Sequence, residues 1–218
     1  MKKILAISGV IGAFLIGFFI YYFNDNPDKQ EPAAQLVNGM EDHLFGKSLV
    51  LDAKIDEFQN LNAVEEKTEI IVVGKKVKQE EPTIVYNKEG RIDIAYTLSN
   101  FAIDKVISGD SVTPGTEITI LENEAYNKKV DMTYHIAGYE LMEKDKEYLL
   151  FLRKSQTDPY YLITGVNYGK VPLKDENSSL KKSLNNANTD YAKEKLSEID
   201  HQNLIKAEAL KKYESSLK

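Results

Sequence analysis

The sequence predicts a mainly β protein, with an N-terminal transmembrane helix, a small β-barrel and a C-terminal amphipathic α-helix. Three observations predict it. Twenty consecutive residues, Ile4 to Phe23, carry no charge. Between about Glu69 and Leu173, short β-branched and aromatic runs alternate with turn residues. From Thr189 to Lys218 the apolar residues recur with a helical period instead. In order, these divide the chain into an anchor (1–23), a tether (24–49), a β-domain (50–175), a linker (176–188) and a terminal helix (189–218).

The anchor comes first. A helix of this length spans about 30 Å, the thickness of the hydrocarbon layer of a bilayer. Ile4, Phe14 and Phe23 mark the start, middle and end of the membrane-spanning segment. Lys2 and Lys3 precede it, while Asn24, Asp25 and Asp28 follow it. The positive-inside rule therefore places the N-terminus in the cytoplasm and the C-terminal domain outside the cell membrane, on a single span. A cleaved secretory signal is the rival. Its apolar region is normally about 7–15 residues and ends in small residues, whereas Tyr21-Tyr22-Phe23 stands here. Gly9, Ala13 and Gly17 form one small-residue stripe suited to helix–helix contact, and so to a homodimer.

Lys2 and Lys3 are two of the 28 basic residues; the remaining 26 face 34 acidic ones, a balance of −8 outside the membrane. Such a surface repels phosphate backbones, so no nucleic acid partner is expected. With no cysteine, disulfides, thiolate chemistry and a lipoprotein anchor are all excluded. An exported domain without disulfides suits a bacterial envelope. The tether, NDNPDKQEPAAQ at its start, has a root-mean-square reach of roughly 20 Å.

Within the β-domain, Val50 to Gln59 predicts a short helix with Leu51, Ile55 and Phe58 on one face. Asp52 and Asp56 on its other side suit either a cation site or a solvated helix face, and the lack of a third ligand on that face favours solvated charges. Glu69 to Gly74 is a β-branched strand whose glycine marks a bulge or bend, and Val77 continues one of its faces. Arg91 to Ile107 predicts one long bent strand. Ile92, Ile94, Tyr96 and Leu98 alternate, then Phe101 and Ile103 take over the other phase, which predicts a bulge at Ser99-Asn100. Thr116 to Leu121, with Ile118 and Ile120 inward, Glu147 to Arg153, and Tyr160 to Val166 complete the strands. Glu122 to Met142 fits strand or helix. Five or six bulged strands at short spacing suggest a closed or partly closed barrel, with an open sandwich as the alternative. In the terminal helix, Thr189 or Asp190 is the cap. Ala192, Leu196, Ile199, Ala207, Leu210 and Leu217 form its apolar stripe, which could pack on the barrel, on a second copy or on a partner.

The segments IIVVGKKV, YTLSNFAIDKVISGD, EITILE, KDKEYLLFLRK and YYLITG, spread over Glu57 to Leu173, resemble a group of poorly characterised, membrane-anchored extracytoplasmic proteins of Gram-positive bacteria. The strand order is also similar to OB-like barrels, including the glycine-interrupted first strand. The resemblance implies an OB-like β-barrel and carries no catalytic residues with it; OB-like folds bind oligosaccharides, oligonucleotides or peptides.

Chemistry-bearing residues are scattered. His43, His135 and His201 have no second histidine or carboxylate at metal-ligand spacing, and neither a nucleophile elbow nor a phosphate loop is present. No cofactor is expected. Glu122 and Glu124 flank Asn123 at a strand end, where they suit either acid–base work or solubilisation of a sheet edge. Tyr134, Tyr139, Tyr160, Tyr161 and Tyr168 suit a binding groove or half-buried barrel positions. The expectation is a non-catalytic, membrane-tethered binding or assembly module of the cell envelope. The alternative is an envelope hydrolase or processing enzyme using surface carboxylates.

Overall fold

A computed structural model describes residues 44–218. The membrane span with Ile4, Phe14 and Phe23, the Gly9–Ala13–Gly17 stripe, His43 and most of the tether lie outside the described residues. Among the described residues, no helix is long and apolar enough to cross a membrane.

The described chain runs β1 (Leu44–Phe45), β2 (Ser48–Leu51), α1 (Leu61–Glu66), β3 (Ile70–Gln79), β4 (Thr83–Tyr86) and β5 (Ile92–Ser108). It continues with β6 (Glu117–Glu122), β7 (Glu124–Asn127), β8 (Met132–Ile136), β9 (Glu147–Lys154), β10 (Tyr161–Ile163) and β11 (Lys170–Pro172). Three further helices end it, α2 (Ser179–Asn186), α3 (Asp190–Lys212) and the short α4 (Glu214–Leu217).

Five strands close a barrel in the order β10-β6-β5-β3-β9, with β9 pairing back onto β10. The β6–β10 pair is parallel and the others are antiparallel. This is a mainly β, OB-like architecture. β4 adds to the free half of β5, and β11 extends the outer edge of β9. A second, four-stranded sheet has the order β1-β2-β8-β7.

The barrel strands are buried on both sides, which explains the unbroken run Tyr148 to Leu152. Leu150 and Leu152 face the barrel interior with Ile70, Val72, Phe101, Ile103 and Ile120. Leu149 and Phe151 face outward with Ile71 and Val73, against α1 and the second half of α3 through Ile205 and Ala209. The first half of α3 packs on α2, Phe45 and Val50 through Ala192, Leu196 and Ile199. The terminal helix thus packs on its own β-domain.

Four expectations need correction. Residues 44–49, expected as the end of the tether, instead hold β1 and the start of β2, because β2 pairs in parallel with β8 from Ser48↔Thr133 to Leu51↔Ile136. That pairing also removes the start of the helix expected over 50–59. The helix forms later, at Leu61–Glu66, where Asn60 caps it by accepting from Ala63 N at 3.0 Å. Linker residues 176–188 contain α2, capped by Ser178.

The bulge expected at Ser99-Asn100 is not there. β5 pairs with β6 without a shift from Thr97↔Glu122 to Ala102↔Glu117. On its other edge the extra residue belongs to β3: Val77 falls between Lys76↔Phe101 and Lys78↔Asn100. The inward residues of β5 are Ala95, Thr97, Ser99, Phe101 and Ile103, one unbroken alternation in which two members are polar. Ile92, Ile94, Tyr96 and Leu98 point the other way. The predicted shift at Gly74 is present; a Cβ there would stand 2.0 Å from the Ala102 carbonyl oxygen, so only glycine lets β3 and β5 approach this closely.

Candidate functional site

The polar residues inside β5 reach two neighbouring glutamates, Thr97 donating to the Glu124 carbonyl at 2.7 Å and Ser99 to the Glu122 side chain. Ile118, Ile120 and Glu122 share one face of β6 by strand alternation, so Glu122 enters the core together with two isoleucines; it is completely buried. Its Oε1 accepts from the Ser99 hydroxyl and lies 2.9 Å from Lys76 Nζ, which is equally shielded from water. Lys76 makes no aligned hydrogen bond within this pair, so its ammonium is held by charge alone. Oε2 of Glu122 accepts from the Tyr139 hydroxyl at 2.9 Å and from Met142 N at 2.6 Å. Burial first, then the Glu122 charge, holds the Tyr139 hydroxyl well above the ordinary tyrosine pKa.

Glu124, at the start of β7, takes the same turn from the other side. Its Oε2 accepts from Leu141 N at 3.2 Å and lies 3.1 Å from Nδ1 of His135. His135 is buried on β8, with Nδ1 also 2.8 Å from the Tyr139 carbonyl and Nε2 3.2 Å from Ser48 Oγ. Burial alone lowers the His135 pKa, but the Glu124 carboxylate and the Tyr139 carbonyl outweigh it, and the net shift is upward. Glu122 and Glu124 together clamp residues 139–142 onto the barrel.

The outer side of that turn forms one wall of a cleft of about 620 Å³, whose other walls are β11, residues 173–179 and α3. Glu140 crosses to α2, where its carboxylate accepts from Ser179 Oγ and Leu180 N, each at 3.0 Å, and from the Ser178 hydroxyl. The free amides and positive dipole end of the helix favour a carboxylate there. Lys170 on β11 donates to the Glu140 carbonyl at 2.6 Å, lies 3.5 Å from Glu176 Oε2, and sits 4.9 Å over the Tyr139 ring. Glu176 also accepts from the Tyr148 hydroxyl, which itself accepts from Glu143 N at 2.7 Å. Burial and the Glu176 carboxylate push the Tyr148 hydroxyl far up.

Helix α3 supplies the opposite wall, and of the predicted stripe Ala192, Leu196, Ile199 and Leu210, with Leu217 of α4, pack inward. Ala207 is exposed, whereas Lys195, Gln202, Ile205 and Ala209 are buried. Gln202 and Lys206 line the cleft, and Lys206 is half-buried. Its pKa is drawn down to about 8, by burial first and then by the charge of Lys170.

These groups can hold charges and exchange hydrogen bonds. The structure brings Glu122, Glu124, His135 and Tyr139 together around one turn. It leaves His201 apart, on α3, with Nε2 2.8 Å from the Phe58 carbonyl oxygen. Asp52 and Asp56 do not share a helix face; Asp52 accepts from the Tyr191 hydroxyl at 2.8 Å. Tyr134, Tyr139 and Tyr168 belong to the core, and Tyr160 and Tyr161 are half-buried. Among the described residues, no group of three histidine or acidic side chains is placed to hold a metal ion. Sequence pattern does not mark Lys76, Lys170 or Gln202 as site residues, and it presents Lys206 only as one of the late lysines that suit the helix dipole. Only Lys76 had a legible signal of burial, as the even-numbered continuation of Ile70, Val72 and Gly74. Neither a protein-family model nor a characterised protein sequence matches the chain.

Proposed function

We propose that this chain is a non-catalytic, membrane-tethered binding or assembly module of the bacterial cell envelope, with its ligand or partner seated in the cleft between the barrel and α3. One observation carries the choice of cleft. Glu122, Glu124, Glu140 and Glu176 are engaged in bonds that build the walls, while Gln202 and Lys206 reach the space between them. A wall braced from behind with polar groups turned toward solvent suits binding. Hydrolysis through Glu122 and Glu124 has less support, because Glu122 is sealed in the barrel and acid–base work needs a carboxyl within reach of substrate.

The uncharged span Ile4–Phe23 and its flanks support the tether and its outward orientation, and the Gly9–Ala13–Gly17 stripe supports a homodimer as one form of assembly. Protease added to intact protoplasts should digest the domain, and its protection would sink the orientation. For the cleft, the intact anchored protein is used to recover partners from its own membranes, beside Ala207→Trp. Ala207 is exposed at the cleft, so an indole there blocks it without disturbing the core. Recovery should fall with Ala207→Trp, and equal recovery would remove the cleft from consideration.

A further inference from the structure

Gln202 and Lys206 are four residues apart on α3 and therefore share a face of the helix. Gln202 is only 4% exposed, yet its amide makes no hydrogen bond to a described residue. Lys206 is half-buried, and its ammonium makes neither a hydrogen bond nor an ion pair with one. Their polar atoms keep contact with water through the cleft that both side chains line, so an incoming ligand meets hydrogen-bonding groups that no described residue already holds. The surroundings sharpen the point. Lys170, Glu176 and Glu140 are the charged groups that Lys206 feels most from the facing elements. Glu140 is tied to the start of α2, and Glu176 is shared between Tyr148 and Lys170. These two carboxylates are already committed, and Lys170 and Lys206 line one cleft together with Lys174, Lys181, Asp175 and Glu143, the last paired with Lys146.

We propose that Lys206, Gln202 and Lys170 form a binding site for a small oxyanion, a carboxylate or a phosphate borne by the molecule that occupies the cleft. This rests on the cleft being the binding surface. The anion answers the unpaired Lys206 charge and adds a second acceptor to Lys170. The Gln202 amide, which both donates and accepts, reads a neighbouring polar atom. An uncharged ligand would leave Lys206 as it stands. Lysines are point charges without the fixed fork of arginine, so the site tolerates either oxyanion geometry. The low pKa of Lys206 agrees with a site waiting for its counter-charge.

The test uses the full chain in lipid nanodiscs and reads acylation of single lysines by limiting acetic anhydride, resolved by mass spectrometry. The probes are inorganic phosphate and succinate, with ionic strength matched by chloride. Lys206 should acylate faster than the exposed Lys182 of α2, and one or both probes should slow Lys206 saturably while leaving Lys182 unchanged. Protection by phosphate alone identifies a phosphate site, and by succinate alone a carboxylate site. Gln202→Leu and Lys170→Met should each raise the protecting concentration about tenfold, the loss of one charge-assisted contact. No protection by either probe, or protection unchanged in both variants, overturns the proposal. The two ideas fail separately. If Ala207→Trp abolishes partner recovery while neither probe protects Lys206, the cleft binds, but not through an anion. If the probes protect Lys206 while Ala207→Trp changes nothing in recovery, the anion site stands and the partner binds elsewhere.

Discussion

Lys76 Nζ and Glu122 Oε1 stand 2.9 Å apart inside the barrel, on β3 and β6, with β5 between the two strands. Both are removed from water, so either charge alone would be expensive. Lys76→Met or Glu122→Gln should destabilise the protein by about 3–5 kcal/mol, each leaving the partner charge buried and unpaired. The double variant should fall well short of the sum. Urea denaturation of all four proteins gives the coupling, and strict additivity would show that the two groups are not a pair.

Gly74 sits where β3 and β5 come closest. A methyl group there would meet the Ala102 carbonyl oxygen at 2.0 Å and the Phe101 ring at 2.8 Å. Backbone on one side and a packed ring on the other leave nothing to yield. Gly74→Ala should cost about 3 kcal/mol or more, read as a drop in the denaturation midpoint. A cost below that of an ordinary surface change would contradict this close approach.

Lys206 should work against stability at neutral pH. Its folded pKa, about 8, lies below the ordinary lysine value of 10.5. Between these values the unfolded chain holds more protons, so stability rises with pH across that window; below it the cost of a buried charge is fully present. Lys206→Met should therefore stabilise the protein at neutral pH by on the order of 2 kcal/mol. It should also flatten the rise above pH 8. A destabilised variant would mean that the ammonium has a partner in solution.

His135 has the opposite sign. Its folded pKa is raised above 6.5 by Glu124 and the Tyr139 carbonyl, against the pull of burial. The stability it contributes is fully present below pH 6.5 and is lost as pH rises through the folded value. His135→Gln should remove that decline, while NMR titration of the ring reads the folded pKa directly. A ring titrating below 6.5 would mean that burial wins over Glu124.

Much of the barrel was legible because strands announce themselves by local periodicity. The β-branched run ending in Gly74, the long strand of β5 and the continuous Tyr148–Leu152 run all stand where their patterns put them. The failures share one physical cause. Thr97 and Ser99 look like a break in an apolar alternation, when they are inward members of it, Thr97 donating to the Glu124 carbonyl and Ser99 to the Glu122 carboxylate. On α3 the apolar stripe does pack inward, and what the pattern hides is the polar pair buried beside it, Lys195 and Gln202. Residues 50–51 carry helical spacing, but their pairing with β8 is non-local and overrides it. A buried polar residue reveals itself only through its partner, and here the partners are far away in the chain.

The hairpin at the start of the described chain would decide how the domain bears a load applied at Leu44. There β1 is held to β2 by Leu44↔Leu49 and Phe45↔Ser48, with Phe45 stacked on Tyr191 at 6.2 Å. Antiparallel pairs loaded from an open end unzip singly, in succession. β2 then lies parallel to β8 over four pairs, and a load along its axis strains those pairs together. Neither strand is one of the five that close the barrel. Under such a load the hairpin would act as a mechanical fuse, yielding before the barrel behind it opens.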